Sequence, residues 1–396
     1  MAGAAASQAI NPGGRDFRPL ELCALIFIVC TGFSSQMVMP LWIGAIIDDL
    51  GLSADAAGSV ASTEFAAVAV VSLLVAALVH RMNARLTVIL GLALLFAGNF
   101  LAAYAESGLW LTAFRVLTGI GKGLVVAIVF SLAAGAKHPT RAFALLNATY
   151  AVFSTAFYLM APFFIEMGGA KGAFLMMAGV AVIGALFLVW FPNRSMAASE
   201  VRNLRIREIP LFGFLALAAL IILWTGQASI WTFIERLGAR LDLTVAQIGG
   251  VLSVAAFLTI GGPTLARVID TRFGHTRPIL AGVALLIATA LALIYLPSAM
   301  VYSAMVPSFL ILSLFIVPYV MGILSLADPA GRLAAASSAA MTAGGSLGAL
   351  AGGWTIRELG YEGLAYTACG HFLVVIAITL VVAGHMRRRA AALPAV

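Results

Sequence analysis

The sequence predicts an all-α integral membrane protein in which twelve transmembrane helices form two parallel repeats of six. Three observations support this prediction: the composition, the number of long apolar segments, and a repeat between the halves. The chain has 396 residues, of which 62% are apolar and only 10% are charged. Its mean hydropathy is +1.07. Because a soluble domain carries roughly 25% charged residues, this composition excludes a soluble globular protein.

Twelve apolar segments are each long enough to cross a bilayer, which takes about 20 helical residues. They are Leu20–Ile47, Ala56–Val79, Leu86–Tyr104, Leu109–Gly135, Ala142–Ile165, Gly172–Phe191, Pro210–Phe233, Ala246–Val268, Ile279–Leu296, Met300–Leu326, Leu333–Ile356 and Gly363–Gly384. The first segment is too long for a cleaved signal peptide, so it is predicted to be the first span. An even number of spans places both termini on the same side.

The basic residues predict which side that is. Of the 23 lysines and arginines, 17 fall on the face that carries the termini, and four fall on the other face (Lys171, Arg236, Arg240 and Arg357). The remaining two lie inside a span. Basic loops stay cytoplasmic, so both termini are expected in the cytoplasm of an inner (plasma) membrane. The same placement accounts for the net charge of +7 and argues against a nucleic-acid partner.

The two halves of the chain resemble each other. Leu52-Ser53-x-x-x-x-Gly58-x-Val60-x-Ser62 recurs as Leu243-Thr244-x-x-x-x-Gly249-x-Val251-x-Ser253. The same offset of 191 residues carries Arg81 onto Arg272. An offset that spans six helices keeps the orientation, which is typical of parallel repeats. We therefore predict a six-helix bundle over residues 1–191, a charged cytoplasmic linker over 192–209 and a second six-helix bundle over 210–396.

This arrangement resembles the major facilitator superfamily, and the resemblance covers nearly the whole chain. The family pattern between spans 2 and 3 is Gly-x-x-x-Asp-Arg-x-Gly-x-Arg. Here Arg81 and Arg85 match, His80 stands at the acidic position, and Asn83 stands in for a glycine in a left-handed turn. The second half carries Arg272 and Gly274 at the equivalent loop. The resemblance implies that these two loops take part in gating.

A second motif lies on span 4. Arg115-x-x-x-Gly119-x-Gly121-x-Gly123 is similar to the pattern of proton-coupled members of the superfamily, in which the arginine is tied to coupling. The glycines have an alternative interpretation, because small residues four apart also allow close helix packing. The antiporter pattern late in span 5 is met only in part, by Ala161-Pro162 and Gly168-Gly169.

Three ionisable residues lie well inside apolar segments, at Glu64, Arg115 and Lys122. A charge at this depth costs at least about 2.5 kcal/mol, so each is a candidate for substrate binding or proton coupling. Glu64 and Arg115 are at similar depth and can pair, either for coupling or only to lock two helices. Lys122 lies seven residues beyond Arg115, on nearly the same helix face and near the midplane. With no acid at its depth, it is predicted to face the central cavity and bind an anionic substrate, or else to serve helix packing.

Polar and aromatic residues on other spans are predicted to line that cavity. They are Gln36, Asn147, Tyr150, Tyr158, Trp224, Gln227 and Tyr319. Tyrosine and tryptophan combine an apolar ring with one donor, which suits an aromatic or amphipathic ligand, although helix packing is the alternative for any one of them. Trp42 and Trp231, near the ends of their spans, are predicted to anchor the protein at the membrane interface.

The predicted function is secondary transport of a small organic solute by alternating access. The resemblance implies proton coupling at Glu64 or Lys122, with export the favoured direction and uptake of organic acids by symport the alternative. A membrane sensor on the same fold is a second alternative. We expect a monomer with a solute, protons and the lipid bilayer as its partners. The sequence shows no constellation of a membrane enzyme, and no metal or other cofactor is expected.

Overall fold

The computed structural model describes residues 16–192, 209–328 and 332–391. The described chain is built from α-helices with short connections. Their bounds are α1 Pro19–Met37, α2 Met39–Leu50, α3 Ala54–Leu78, α4 Ala84–Ala102, α5 Gly108–Ala134, α6 Pro139–Leu186, α7 Leu211–Trp231, α8 Ile234–Ala239, α9 Val245–Leu258, α10 Gly261–Ile269, α11 Thr276–Tyr295, α12 Ala299–Ala327, α13 Arg332–Leu359 and α14 Gly363–Ala391. Most of the predicted linker over 192–209 lies outside the described residues.

Eleven continuous helical stretches of the described chain are long and apolar enough to cross a membrane. One of them, Arg141–Trp190, has 50 residues and would span roughly 75 Å as a single helix. It breaks at Gly168 and at Gly169, where φ is +57°. The Asp49 carboxylate accepts a hydrogen bond from the Ala170 N–H at 2.5 Å just after the break. This stretch therefore contains two crossings, and the described chain crosses twelve times.

Polar residues mark where several helices begin. The Ser298 hydroxyl accepts a hydrogen bond from the Val301 N–H at 3.2 Å at the start of α12. Thr244 and Gln247 form a reciprocal capping box at the start of α9, which pairs N–H groups that the helix itself leaves free.

Large apolar side chains such as Leu109 and Met300 are more than 80% exposed on the outside of the bundle. Such a surface suits lipid chains rather than water.

The two halves meet mainly along two helix pairs, α3 with α13 and α6 with α9, and more briefly where α2 meets α8. We call the face where α1 begins and α14 ends the terminal face, and the opposite face the far face. On the far face, the guanidinium of Arg236 pairs with Asp48 at 2.6 Å and with its neighbour Glu235 at 2.6 Å. A second ion pair joins Arg357 to Asp55 at 3.0 Å. These contacts close the far face between the halves.

Hydrogen bonds continue that closure toward the middle of the bundle. The hydroxyl of Ser346 on α13 donates to the Ser62 carbonyl on α3 at 3.0 Å. The hydroxyl of Ser253 on α9 donates to the Thr155 carbonyl on α6 at 3.2 Å. Ser62 and Ser253 are equivalent positions of the sequence repeat, and the Ser253 carbonyl in turn accepts a hydrogen bond from the Thr155 hydroxyl at 3.5 Å. The repeated motif therefore carries an equivalent contact in both halves.

Candidate functional site

The first span bends at the level of the site. α1 ends at Met37 and α2 begins at Met39, with Val38 at φ −111° and ψ 19° between them. Pro40 has no N–H and cannot continue the ladder to the Gln36 carbonyl. The bend follows directly after Ser35 and Gln36, and these two neighbours contact two different buried charges.

The first charge is Arg115, whose side chain is fully buried. Its Nη1 lies 3.3 Å from Glu64 Oε2, so the predicted pairing of these residues is present. Its Nη2 donates to Asn99 Oδ1 at 2.6 Å and to Thr118 Oγ1 at 2.9 Å. Ser35 donates its hydroxyl to the same Glu64 oxygen at 2.9 Å. The pair and the polar groups that hold it therefore come from four helices, α1, α3, α4 and α5.

Aromatic rings complete this pocket. The guanidinium carbon of Arg115 lies 4.9 Å from the ring centroid of Phe174 and 5.7 Å from that of Trp42. Trp42 is 1% exposed and donates its indole N–H to the Ser35 carbonyl at 3.0 Å. The prediction that Trp42 is an interfacial anchor is wrong, because α2 turns its ring into the bundle. Cation–π contacts of this kind favour a buried cation.

The second charge is Lys122, which is 1% exposed. Its Nζ donates to Gln36 Oε1 at 2.8 Å. The rings of Phe33 and Phe65 lie close to it, with centroids 5.6 and 5.2 Å from Nζ. The sequence predicted an ammonium that faces the cavity without a partner. The structure instead places it behind Gln36, with an amide oxygen and two rings as its partners.

The glycines after Arg115 lie where helices touch. A Cβ on Gly119 would meet the Glu64 carbonyl oxygen at 2.5 Å, and one on Gly121 would meet the Gly91 carbonyl oxygen at 2.6 Å. A Cβ on Gly123 would meet the Val71 side chain at 2.8 Å. Of the two interpretations of this motif, the geometry supports close packing of α5 against α3 and α4. That packing also sets the distance between Glu64 and Arg115.

A cavity of about 380 Å³ lies between the halves, from the middle of the bundle toward the terminal face. The predicted residues that line it are Gln36, Asn147, Tyr150, Tyr158, Trp224 and Gln227. Tyr319 does not line it, because its hydroxyl turns away and donates to the Ala266 carbonyl on α10 at 3.3 Å. No Asp, Glu, Lys or Arg belongs to the described wall of the cavity.

Aromatic rings form much of the wall. They belong to Phe33, Phe65, Phe130, Tyr150, Tyr158, Trp224 and Trp231. Trp231 packs edge-on against Tyr158 with centroids 6.5 Å apart, so the prediction that Trp231 is an interfacial anchor is wrong as well. The Trp224 indole N–H is buried and has no hydrogen-bond partner in the described part of the chain. The wall can therefore hold a flat apolar group and still offers an unpaired donor.

The two predicted gating loops lie on the terminal face. Arg81 and Arg272 are exposed, and Gly274 has a φ of +71°. Asn83 has a φ of −81° and does not form the predicted left-handed turn. It caps α4 instead, because its side chain accepts a hydrogen bond from the Leu86 N–H at 3.0 Å. Arg85 follows in the first turn of α4.

Sequence reasoning missed the neutral residues that hold the charges. Ser35, Asn99 and Thr118 bind the Glu64–Arg115 pair, and Phe33 and Phe65 flank Lys122. A signal existed for two of them. Asn99 is a carboxamide inside an apolar segment, and Thr118 lies three residues after Arg115 on the same helix face. Ser35 and the phenylalanines offer no such signal, because serine and phenylalanine are common in apolar spans.

Comparison with known proteins shows the family to which the chain belongs. The sequence profile of the Major Facilitator Superfamily matches residues 24–353. The chain belongs to this superfamily. No curated protein sequence shows a significant match to it. As a Major Facilitator Superfamily protein with two six-span halves around a central cavity, it is a multi-pass secondary transporter rather than an enzyme.

Solved structures of the same fold agree with this assignment. One similar structure is a bacterial homologue of the human lysosomal transporter Spinster, in an inward-facing and unoccupied conformation, with a TM-score of 0.73 and 17% identity over 92% of this chain and 97% of that one. A D-xylose–proton symporter has a TM-score of 0.71 and 13% identity, over 92% and 96% of the two chains. The nucleoside transporter NupG has a TM-score of 0.71 and 13% identity, over 93% and 99%. At these identities the likeness shows the fold alone.

Proposed function

We propose that this superfamily member moves a small organic solute with an aromatic or apolar body across the inner membrane, and that protons drive the movement. The observation that carries the proposal is the cavity between the halves, which is walled by aromatic rings and amide groups and is closed at the far face. A site of this kind between two repeats is what alternating access requires. The protein is proposed to act as a monomer, with residues 1–191 and 210–396 as the two moving bodies.

The coupling site is proposed at Glu64, with Arg115 as its electrostatic partner. Glu64 is 4% exposed and shares one oxygen between Ser35 and Arg115. Neither member of the pair belongs to the cavity wall. A proton on Glu64 would weaken its attraction to Arg115 and so change the contact of α3 with α5. A shift of α3 against α5 can alter the contact between the two halves, so the proton and the solute need not bind next to each other.

The direction is proposed as export. With both termini in the cytoplasm, the cavity extends toward the cytoplasmic side, and Asn147 and Ser338 on its wall are exposed there. An amphipathic solute can enter from that side, while the far face is held shut by Arg236 and Arg357. Proton entry from outside would then drive the solute outward.

Flux through reconstituted protein tests the proposal. Proteoliposomes would be loaded with aromatic carboxylates, amines and neutral aromatic solutes in turn, and an imposed pH gradient should accelerate the movement of at least one. Glu64→Gln should abolish accumulation driven by the gradient and leave solute counterflow intact, because exchange needs no net proton movement. If no solute moves faster than it does in protein-free liposomes, the proposal of transport is overturned. Flux that ignores the gradient would overturn coupling alone.

A further inference from the structure

The Gln36–Lys122 contact fixes how the cavity presents an amide group. Lys122 has only donors, so the atom of Gln36 that it contacts at 2.8 Å must be the carbonyl oxygen. The reversed amide would place an NH2 group against an ammonium. The charge therefore sets the orientation of the Gln36 side chain, and its Nε2 group is turned away from Lys122.

That NH2 group is free for a ligand. Gln36 is part of the cavity wall, and no described residue accepts a hydrogen bond from its Nε2. A hydrogen bond to an ionised donor on one side of an amide polarises the group and strengthens the donors on the other side. Lys122 itself is only 1% exposed and lies behind the rings of Phe33 and Phe65. The charge of Lys122 therefore affects a ligand in the cavity through the polarised amide of Gln36.

The described wall offers neutral acceptors, such as the amide oxygens of Asn147 and Gln227, but no negative charge that would favour a cation. The wall contains no carboxylate. Glu64, a buried acid next to the wall residue Phe65, is already held by Ser35 and Arg115. The indole N–H of Trp224 is a second donor without a partner in the described chain. A ligand that brings only donors, or a positive charge, would leave these N–H groups unpaired and meet the field of Lys122. Leaving such groups unpaired is costly.

We infer that the cavity selects solutes with an aromatic body and a hydrogen-bond acceptor group, such as a carboxylate or carbonyl, that Gln36 Nε2 binds, and that it excludes aromatic cations. Lys122 is a positioning residue that sets the polarity of Gln36. This inference rests on the proposed function and names the substrate class of the same site. Two kinds of ligand carry such an acceptor: organic anions and neutral carbonyl compounds. They differ in charge, so their relative affinities show which kind the cavity prefers.

Three probes with one aromatic body test the inference by calorimetric titration of the purified, full-length protein. They are 2-naphthoate, 2-naphthamide and 2-naphthylmethylammonium. We expect the first two to bind at least about tenfold more tightly than the ammonium probe, since one lost hydrogen bond to a polarised donor corresponds to about that factor. Tighter binding of naphthoate than of naphthamide would identify anions as the preferred source, and the reverse order neutral carbonyl compounds.

Both substitutions at the pair should lower the preference of the cavity for naphthoate over the ammonium probe. Gln36→Glu would place a carboxylate on Lys122 and offer an acceptor to the cavity, so the ammonium probe should gain and naphthoate should lose affinity. Lys122→Met should let the amide turn, and the ratio of naphthoate to ammonium affinity should fall toward one. The matched comparison is Gln227→Met, a second wall amide with no cationic partner in the described chain, which should lower affinities without changing their ratio.

Several outcomes would overturn the inference. Equal binding of naphthoate and the ammonium probe by the parent protein would overturn it, and this measurement does not depend on whether any variant folds. A Gln36→Glu protein that melts normally and keeps the parent ratio would do so as well. Absence of binding by all three probes would also count against the acceptor site, whereas gradient-driven flux of some other solute would leave the transport proposal standing.

Discussion

At the scale of single residues, two buried cations on one helix are stabilised in different ways. Both cations lie near two aromatic rings, but Arg115 also has a carboxylate, an amide oxygen and two hydroxyls as partners, whereas Lys122 has one amide oxygen. A planar guanidinium with several donors suits a fixed multi-partner pocket, and an ammonium suits a single directed contact. This difference supports a structural and coupling role for the arginine pocket and a role in selectivity for the lysine.

The arginine pocket predicts strong coupling between Glu64 and Arg115 in stability. Glu64→Gln or Arg115→Gln alone leaves a buried charge without its counter-charge and should lower the free energy of unfolding by about 3–5 kcal/mol. The double variant should lose clearly less than the sum of both. Denaturation in detergent measures all three. The partly exposed pair Asp55–Arg357, with the arginine side chain 51% and the aspartate side chain 27% exposed, is the control and should show a coupling of about 0–1 kcal/mol. Additive losses at Glu64 and Arg115 would contradict the pairing.

A pH dependence is predicted at Asp328, between α12 and α13. Hydrogen bonds from the Arg332 side chain and from the N–H groups of Leu333 and Arg332 lower the pKa of this carboxyl below its ordinary value of 3.8. A lowered pKa in the folded state adds stability that is full above the ordinary value and is lost as the pH falls through the lowered one.

Asp328→Asn should therefore melt at a lower temperature than the parent protein at pH 7. The difference should shrink once the pH drops below about 4, and thermal unfolding across pH 3–7 measures it. Asp242→Asn is the matched control, because Asp242 is exposed and no described residue binds its side chain. A difference between Asp328→Asn and parent that stays constant over this range would show that the ionised carboxylate of Asp328 does not stabilise the fold.

At the scale of helices, the repeated motif places a glycine at each contact between the halves. A Cβ on Gly58 of α3 would collide with the Ala349 carbonyl oxygen of α13. A Cβ on Gly249 of α9 would collide with Pro162 and lie 2.7 Å from the Tyr158 carbonyl oxygen of α6. Both glycines thus permit the close approach that shuts the far face.

Gly58→Ala and Gly249→Ala should therefore favour the state that is open at the far face. Overpacking of a tight contact costs about 1–3 kcal/mol, so labelling of Ser346→Cys by a water-soluble maleimide should accelerate about tenfold. The background would lack Cys23, Cys30 and Cys369. Gly250→Ala is the control, since a Cβ there meets nothing within 4 Å. Equal labelling in all three variants would show that these contacts do not set the equilibrium.

At the scale of the whole molecule, the polar contacts between the halves are concentrated at the far face. Arg236 and Arg357 each reach an aspartate of the other half, and the serine contacts lie beneath them. The cavity begins below these contacts and continues toward the terminal face. In the proposed alternating-access cycle, this asymmetry corresponds to the end state that is open toward the side predicted to be cytoplasmic.

The predicted orientation can be tested on exposed loop residues of both faces. In intact cells that express a cysteine-free background, Glu106→Cys on the far face should react with a membrane-impermeant maleimide. Thr271→Cys on the terminal face should react only after the cells are lysed. Both side chains are exposed, so access to water does not differ between them. The opposite labelling pattern would reverse the orientation and with it the proposed direction of transport.

The number of spans, the repeat and the three charged residues inside apolar segments could all be predicted from the sequence. Each of these is a local property: apolar length, motif spacing, or a charged residue inside an apolar segment. The pairing of Glu64 with Arg115 could also be predicted, because equal depth in two spans follows from the rise of a helix.

Which side of each helix faces the cavity could not be predicted in this way and is seen only in the packed bundle. A transmembrane helix is apolar all round, since both lipid and neighbouring helices accept apolar side chains, so its sequence does not mark its buried face. For this reason Tyr319 turned out to bind α10, and Trp42 and Trp231 lie inside the bundle. The bend after Gln36 and the contact with Lys122, 86 residues away, depend on the packing of α1 against α5. That packing, and not the local sequence, gives the cavity its polarity.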